Sequence, residues 1–302
     1  MSRVRRPPVD VVVPFRGSLA ELEGLRAGLS RLQLAEGDSL VVVDNTPGGV
    51  SSDGPVPVFS ASGQSTAAYA RNRGAERGTA GWLLFLDSDT RPRADLLEHY
   101  FDPHPGERTG LLGGGVIDEP VPRGGPAAAR YAHLCGLMSQ DNTFGWDDWS
   151  FPQTANALCR RKAFEAAGGF REDIRAAEDA DLTYRLKAAG WRVERREAAS
   201  VIHLSRASLR GFVGQQLCHG AGGSWLDRRY PGSVPRKRWP GLLWWGVRSA
   251  VSGIAGAARR RDRDRAIRAV FAPLHNISYE FGRSLANERA GARARSGARS
   301  RP

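Results

Sequence analysis

Three nearly unbroken apolar runs constrain this chain more than anything else in it: VDVVVPF (9–15), SLVVVDN (39–45) and WLLFLD (82–87). Runs this short, rich in β-branched residues and lacking alternation, read as strands buried on both faces. Between the first two, Leu19, Leu22, Leu25, Leu29 and Leu32 recur at helical spacing behind Ser18, a natural N-cap. A short strand near 56–61 and a helix over 65–78 precede the third run. This β-α-β alternation with short connections predicts an α/β fold around a mostly parallel sheet with flanking helices.

The second half is less regular. The sequence predicts helices over 92–101 (with Pro92 in the first turn), 126–138, 161–170 and 178–190. It predicts strands at 111–118, at WRVERRE and, separately, at VIHL, with 144–153 as an aromatic loop. Past about residue 208 the pattern turns to helices rich in Gly, Trp and Arg, an expected C-terminal extension.

Charge separates the body from that extension. The net charge is +12, and residues 259–302 hold 12 Arg against 4 acidic residues, +8 of that total. A basic end attracts polyanions without naming one, so no dedicated nucleic-acid partner is expected. With 41% hydrophobic and 25% charged residues the composition is that of a globular protein. Cys135, Cys159 and Cys218 are spaced like neither a zinc motif nor a disulfide framework. The apolar run 9–13 behind Arg3, Arg5 and Arg6 is too short for a secretory signal, and a cytoplasmic location is expected.

Chemistry-bearing residues gather at strand ends. Asp87, Ser88 and Asp89 follow the third apolar run and Asp44 ends the second. The carboxyl ends of parallel strands face the crevice where α/β proteins bind ligands. Two such carboxylates suit Mg2+ or Mn2+ completed by water and phosphate oxygens, although each aspartate could equally cap its following turn. No GxGxxG, P-loop or G-x-S-x-G motif is present, so phosphate charge would be met by a metal, by Arg71 or by backbone donors. Glu178, Asp179 and Asp181 open a helix, where acids answer the positive dipole end. Upstream, Trp146, Asp147, Asp148 and Trp149 combine indoles with carboxylates, a pairing suited to sugar rings and also to an ordinary surface turn.

VVVPF, SLVVVDNTP, AYARNRGAERGTAGWLLFLDSD, TANALCRRKAFEAAGGFRE, and AEDADLTYRLKAAGWRV followed by VIH occur in this order over residues 9–205. This ordered set resembles the family 2 glycosyltransferases, inverting nucleotide-sugar enzymes of GT-A fold. The resemblance implies a nucleoside-diphosphate-sugar donor, a hydroxyl-bearing acceptor (glycan, lipid or small molecule) and a divalent cation, Mn2+ or Mg2+. It implies Asp44 at the nucleotide base, Pro14 and Phe15 shaping that pocket, and Arg71 and Asn72 near base, ribose and diphosphate. Asp87, with Ser88 beside it, would support the nucleotide sugar, and Asp89 would be the metal ligand, with Asp87 and His203 as further candidates. Asn156 would sit between donor and acceptor, joined on the acceptor side by Trp146, Asp148 and Trp149. Asp179 would be the catalytic base, with Glu178 and Asp181 as its structural neighbours or acceptor contacts.

The resemblance divides the chain into a catalytic domain over 1–210 (nucleotide half to about 100, acceptor half beyond), a helical extension over 211–286 and a basic tail over 287–302. The Gln-x-x-Arg-Trp signature of processive members is missing at Gln215-Gln216-Leu217-Cys218-His219, so transfer of a single sugar is expected. A catalytically silent sugar-nucleotide or glycan binder, or a nucleotidyltransferase, would share the crevice without needing the Asp179 base. In the extension, Leu243, Val247, Val251, Ile254 and Ala258 fall on one helical face. That face predicts a helix packed on the domain or, with indoles and flanking Arg, one lying on an anionic membrane surface; the segment is marginal as a span.

Overall fold

The computed structural model describes residues 6–50 and 53–288. The expected tail over 287–302 therefore falls almost wholly outside the described residues. In order, the elements are β1 (Val9–Phe15), α1 (Leu19–Leu29), β2 (Ser39–Asp44), β3 (Val58–Ser60), α2 (Ala67–Ala75), β4 (Trp82–Leu86), β5 (Thr90–Pro92), α3 (Leu96–Tyr100) and β6 (Thr109–Asp118). There follow α4 (Ala127–Cys135), α5 (Asp141–Phe144), a 3-10 turn (Asp147–Trp149), β7 (Asn156–Arg160), α6 (Arg161–Ala166), α7 (Glu178–Ala188), β8 (Arg192–His203), α8 (Leu209–Arg229), α9 (Trp239–Arg260) and α10 (Arg263–Gly282). They form two compact units.

The first unit takes the described residues of Met1–Ile117, Met138–Glu172 and Glu178–Leu204. Its eight-stranded sheet runs in the order β3-β2-β1-β4-β7-β6-β8-β5. Pairing is parallel from β3 through β4, and β7 then enters antiparallel to both β4 and β6. The apolar runs fill both faces, as their lack of alternation requires. Val11, Val13, Leu84 and Leu86 point to one core with Leu22, Leu25 and Leu29 of α1. Val12, Leu83 and Phe85 point to the other with Ala68, Phe164, Phe170, Leu182 and Leu186. Ser18 caps α1 in a reciprocal capping box with Glu21.

Three local expectations differ, and one strand has no counterpart among the expected elements. Pro92 lies in β5, antiparallel to β8, rather than in the first turn of a helix. That strand is at the sheet edge, where a residue without an N–H is tolerated. WRVERRE and VIHL are one continuous strand, β8, whose charged half lies largely toward solvent. NALCR forms β7, a strand unmarked by β-branched residues. The 144–153 loop contains a 3-10 turn entered through Asp147 at φ 47°.

The second unit takes Asp118–Leu137, Asp173–Ala177 and the described residues of Ser205–Pro302. Here Tyr131 of α4 stacks on Phe271 of α10 and meets Phe212 of α8 edge-on, at centroid distances of 5.6 and 5.8 Å. Helices α8 and α10 cross tightly at glycine: a Cβ on Gly220 would lie 1.9 Å from the Tyr279 carbonyl oxygen. The stripe Leu243, Val247, Val251 and Ile254 of α9 is the exposed side of that helix, together with Ala258, so it is not the packing face. Contact with α10 runs instead through small residues, with Gly246 and Gly253 facing Pro273 and Ala269. Small side chains let the helix axes approach, which leaves the larger apolar residues outside. Among the described residues no helix is long and apolar enough to cross a membrane. All three cysteines are free.

Candidate functional site

The first unit brings its acids and one arginine together at the carboxyl end of β4. Arg71, carried on α2, is buried and reaches two carboxylates: Nη2 lies 2.5 Å from Asp87 Oδ1 and Nη1 lies 2.7 Å from Glu178 Oε1. Burial opposes the guanidinium charge, and the two carboxylates more than offset it, so its pKa ends above the ordinary value. Arg71 is thus committed to fixing the strand end of β4 to the first turn of α7. Its guanidinium carbon also sits 5.6 Å from the centroid of the Phe170 ring.

Asp179 follows in that first turn, half-buried, with Oδ1 accepting from the Ala180 N–H at 2.8 Å. Burial and then the adjacent negative charge of Glu178 raise its pKa from the usual carboxylate range to about 7. A carboxyl that titrates near neutrality is matched to proton transfer at that pH.

Asp89 and His203 are brought together by strand pairing. The β5–β8 register sets Thr90 opposite His203, and the Leu204 N–H donates to the Asp89 carbonyl at 2.8 Å. His203 Nε2 then lies 3.7 Å from Asp89 Oδ1, beyond hydrogen-bond length. Among the described residues no group of three or more His, Cys, Asp or Glu side chains is placed to hold a metal ion. Asp89 and His203 therefore offer a two-donor set. This fits ions that keep several waters or take phosphate oxygens as their remaining ligands.

The other expected site residues occupy distinct positions. Asp44 accepts from the N–H groups of Thr46 and Val50 at 2.9 and 2.5 Å, organising the loop after β2. Pro14 and Phe15 are buried in β1 opposite Val43 and Asp44. Asn72 clamps the turn after α6: its Oδ1 accepts from the Phe170 N–H, and its Nδ2 donates to the Phe170 carbonyl and to Glu172. Ser88 lies in the turn between β4 and β5.

Asp181, expected as a structural neighbour of the base or an acceptor contact, and Asn156, expected between donor and acceptor, are both buried inside the fold. Asp181 is 0% exposed and pairs with Arg185 at 2.8 Å and Arg171 at 3.5 Å, which gives it a structural position rather than an acceptor contact. Asn156 is equally buried; it accepts from Tyr100 and donates to the carbonyls of Gly115 and Ala199, tying β7 to its neighbours rather than facing a ligand. The aromatic loop is exposed at Trp146 and Asp148 and is anchored to α7. Tyr184 donates to the Trp149 carbonyl, and Lys187 donates to those of Asp148 and Ser150.

Sequence reasoning missed Glu172, which receives Asn72 at 2.8 Å and lies 3.5 Å from Arg73. Its signal was an acid two residues beyond the Gly168-Gly169-Phe170 turn, at whose glycines φ is positive.

The model for "Glycosyl transferase family group 2" matches residues 82–281, more than half of the chain. The chain belongs to that family. It is 29% identical over 247 residues to the pre-mycofactocin glycosyltransferase of Mycobacterium tuberculosis, covering 75% of this chain and 50% of that protein. It is 30% identical over 122 residues to glycosyltransferase AglE of Haloferax volcanii, 40% of this chain and 39% of that one. The chain spans about half the length of the curated relatives it matches first. Among solved structures, the mannosyltransferase PcManGT from Pyrobaculum calidifontis, in complex with GDP-Man and Mn2+, aligns with a TM-score of 0.55 at 14% identity. That alignment covers 97% of this chain and 80% of the other, and establishes a GT-A-like fold.

Proposed function

We propose that this family member transfers one sugar, with inversion, from a nucleoside-diphosphate sugar to an acceptor hydroxyl. The observation that carries the reading is Asp179: a carboxyl raised to about 7, beside the Arg71 network that joins Glu178 to Asp87. Asp179 takes the proton of the acceptor hydroxyl as its oxygen bonds to the anomeric carbon. The bond from that carbon to the diphosphate oxygen breaks, and the nucleoside diphosphate leaves with the electron pair. One base acting opposite the leaving group makes a single displacement, hence inversion. Arg71 keeps Glu178 and Asp87 in place, so Asp179 has its orientation before the acceptor arrives.

Asp89 and His203 would hold the divalent cation, Mn2+ or Mg2+. When bound, it supplies positive charge to the departing diphosphate. Support for a nucleotide-sugar donor and a cation comes from the family and from the fold shared with the PcManGT complex. Trp146 and Trp149 are proposed to flank the acceptor.

The test is thermal protection by a panel of UDP-, GDP- and dTDP-sugars, with Mn2+ and with chelator, for the unaltered chain and Asp89→Ala. One donor class should raise the melting temperature with Mn2+, and the variant should lose the Mn2+-dependent part while keeping its unliganded melting temperature. Equal Mn2+-dependent protection of both proteins removes Asp89 from the metal site. No protection by any donor argues for a different ligand.

A further inference from the structure

The helical unit contains a cavity that the proposed transfer does not use. It has a volume of about 540 Å³ and is lined by Arg236, Lys237, Arg238, Trp239, Pro240, Glu280, Arg283 and Ser284. Four cationic side chains face one carboxylate there. The start of α9 opens onto it, and no side chain caps that helix end. Its first N–H groups therefore add positive potential at the same place.

Arg283 makes this more than a basic surface. Its side chain is 2% exposed, and one nitrogen, Nη2, donates to Asp227 at 3.2 Å. Nε lies 3.7 Å from Glu280 Oε2, outside hydrogen-bond length, and both Nε and Nη1 are buried without a hydrogen-bond partner. Glu280 in turn accepts from the Lys237 N–H, and Lys237 Nζ donates to Asn276. A buried guanidinium in the wall of a cavity lined by three further cations, with Nε and Nη1 not taken up by a carboxylate hydrogen bond, fits an oxyanion with several acceptor oxygens. Beside it α9 carries Trp244 at 64%, Val247 at 66% and Val251 at 65% exposure, along the apolar stripe that α10 leaves uncovered. A helix with an exposed apolar stripe, indoles and arginines at its N-terminal end suits the plane of a lipid surface.

We infer that this cavity binds the phosphate of an anionic phospholipid headgroup while the exposed face of α9 lies against the same membrane. Arg283 and the open helix end receive the phosphate oxygens, and Arg236 and Arg238 close over them. The inference stands apart from the transfer reaction, and either can fail without the other.

The experiment is sedimentation of the full chain with vesicles of phosphatidylcholine alone or with phosphatidic acid, with inorganic pyrophosphate as soluble competitor. Arg236→Ser/Arg238→Ser removes two charges at the cavity; Arg259→Ser/Arg260→Ser removes two at the far end of α9 and serves as the control. Both pairs are exposed, so each variant should fold, which circular dichroism checks. The expected result is selective binding to phosphatidic acid vesicles, competition by pyrophosphate, at least tenfold weaker binding for the cavity variant and at most twofold for the control. Equal loss in both variants, or unchanged binding by the cavity variant, overturns the cavity assignment. Pyrophosphate binding without vesicle binding overturns the lipid source.

Discussion

At the residue scale, Asp179 and Asp181 show why spacing alone separates roles poorly. Both stand in the acidic opening of one helix, yet one is raised to about 7 and the other is sealed beneath Arg185 and Arg171. The sequence announces the acids, since a helix start favours them, but not which side chain is packed. For Asp181 that choice is made by Arg185 and Arg171, and the neighbouring Glu178 is held by Arg71, 107 residues away in the chain. Arg71 was legible as a cation near the site, and its commitment to Asp87 and Glu178 was not. The raised pKa also carries a cost. A carboxyl whose folded pKa lies above its unfolded value binds a proton more tightly when folded. Its contribution to stability then falls as pH rises from about 4 to about 7 and stays low above. Asp179→Asn removes the ionised form while keeping the shape. The variant should melt near the unaltered protein at pH 4.5 and above it at pH 8, by about 2–4 °C for each kcal/mol relieved. Calorimetric melting at both pH values checks this; an equal or lower melting temperature at pH 8 shows that the fold does not strain against that charge.

At the element scale, the β-α-β half was written plainly in the chain, because parallel strands buried on both faces must be continuously apolar. Their pairing puts Asp44 and Asp87 at the carboxyl ends of β2 and β4, on either side of β1. What failed did so for identifiable reasons. NALCR has the length of a strand without its usual residues, and only pairing with both β4 and β6 makes it one. The stripe on α9 was periodic, but periodicity does not say which side a neighbouring helix takes, and glycines decided that. Glycine roles can be measured on α2. A Cβ at Gly74 would lie 2.3 Å from Val12 Cγ1 and 2.9 Å from Val43 Cγ2, whereas one at Gly24 of α1 meets nothing within 4 Å. Gly74→Ala should cost about 1–3 kcal/mol by forcing α2 off the sheet, and Gly24→Ala should add about 0.5–1 kcal/mol through helix propensity. Urea unfolding of both variants reads the difference directly. A neutral Gly74→Ala means that helix and sheet yield more easily than their spacing implies.

At the scale of the whole molecule, a mixed sheet with its acids at strand ends and a separate bundle of four helices divide the chain's chemistry. The family match spans residues 82–281 and so takes in residues of both units. Of the residues past 258, α10 holds three Arg against two acids, and its Ile267 and Phe271 are buried with Tyr131 and Phe212, so that helix is an integral part of its unit. The proposed activity rests on one carboxylate, and one measurement addresses it: single-turnover release of nucleoside diphosphate from the donor that gives thermal protection, with Mn2+, from pH 6 to 9, for the intact chain and for Asp179→Asn. In the unaltered protein the rate should rise with pH and level off above an apparent pKa near 7, that of the Asp179 carboxyl. The variant should keep its donor affinity, lose that dependence and turn over about 10²-fold more slowly or worse, the scale of general-base catalysis. Near-normal turnover by Asp179→Asn, with the same pH profile, would contradict the assignment of Asp179 as the base.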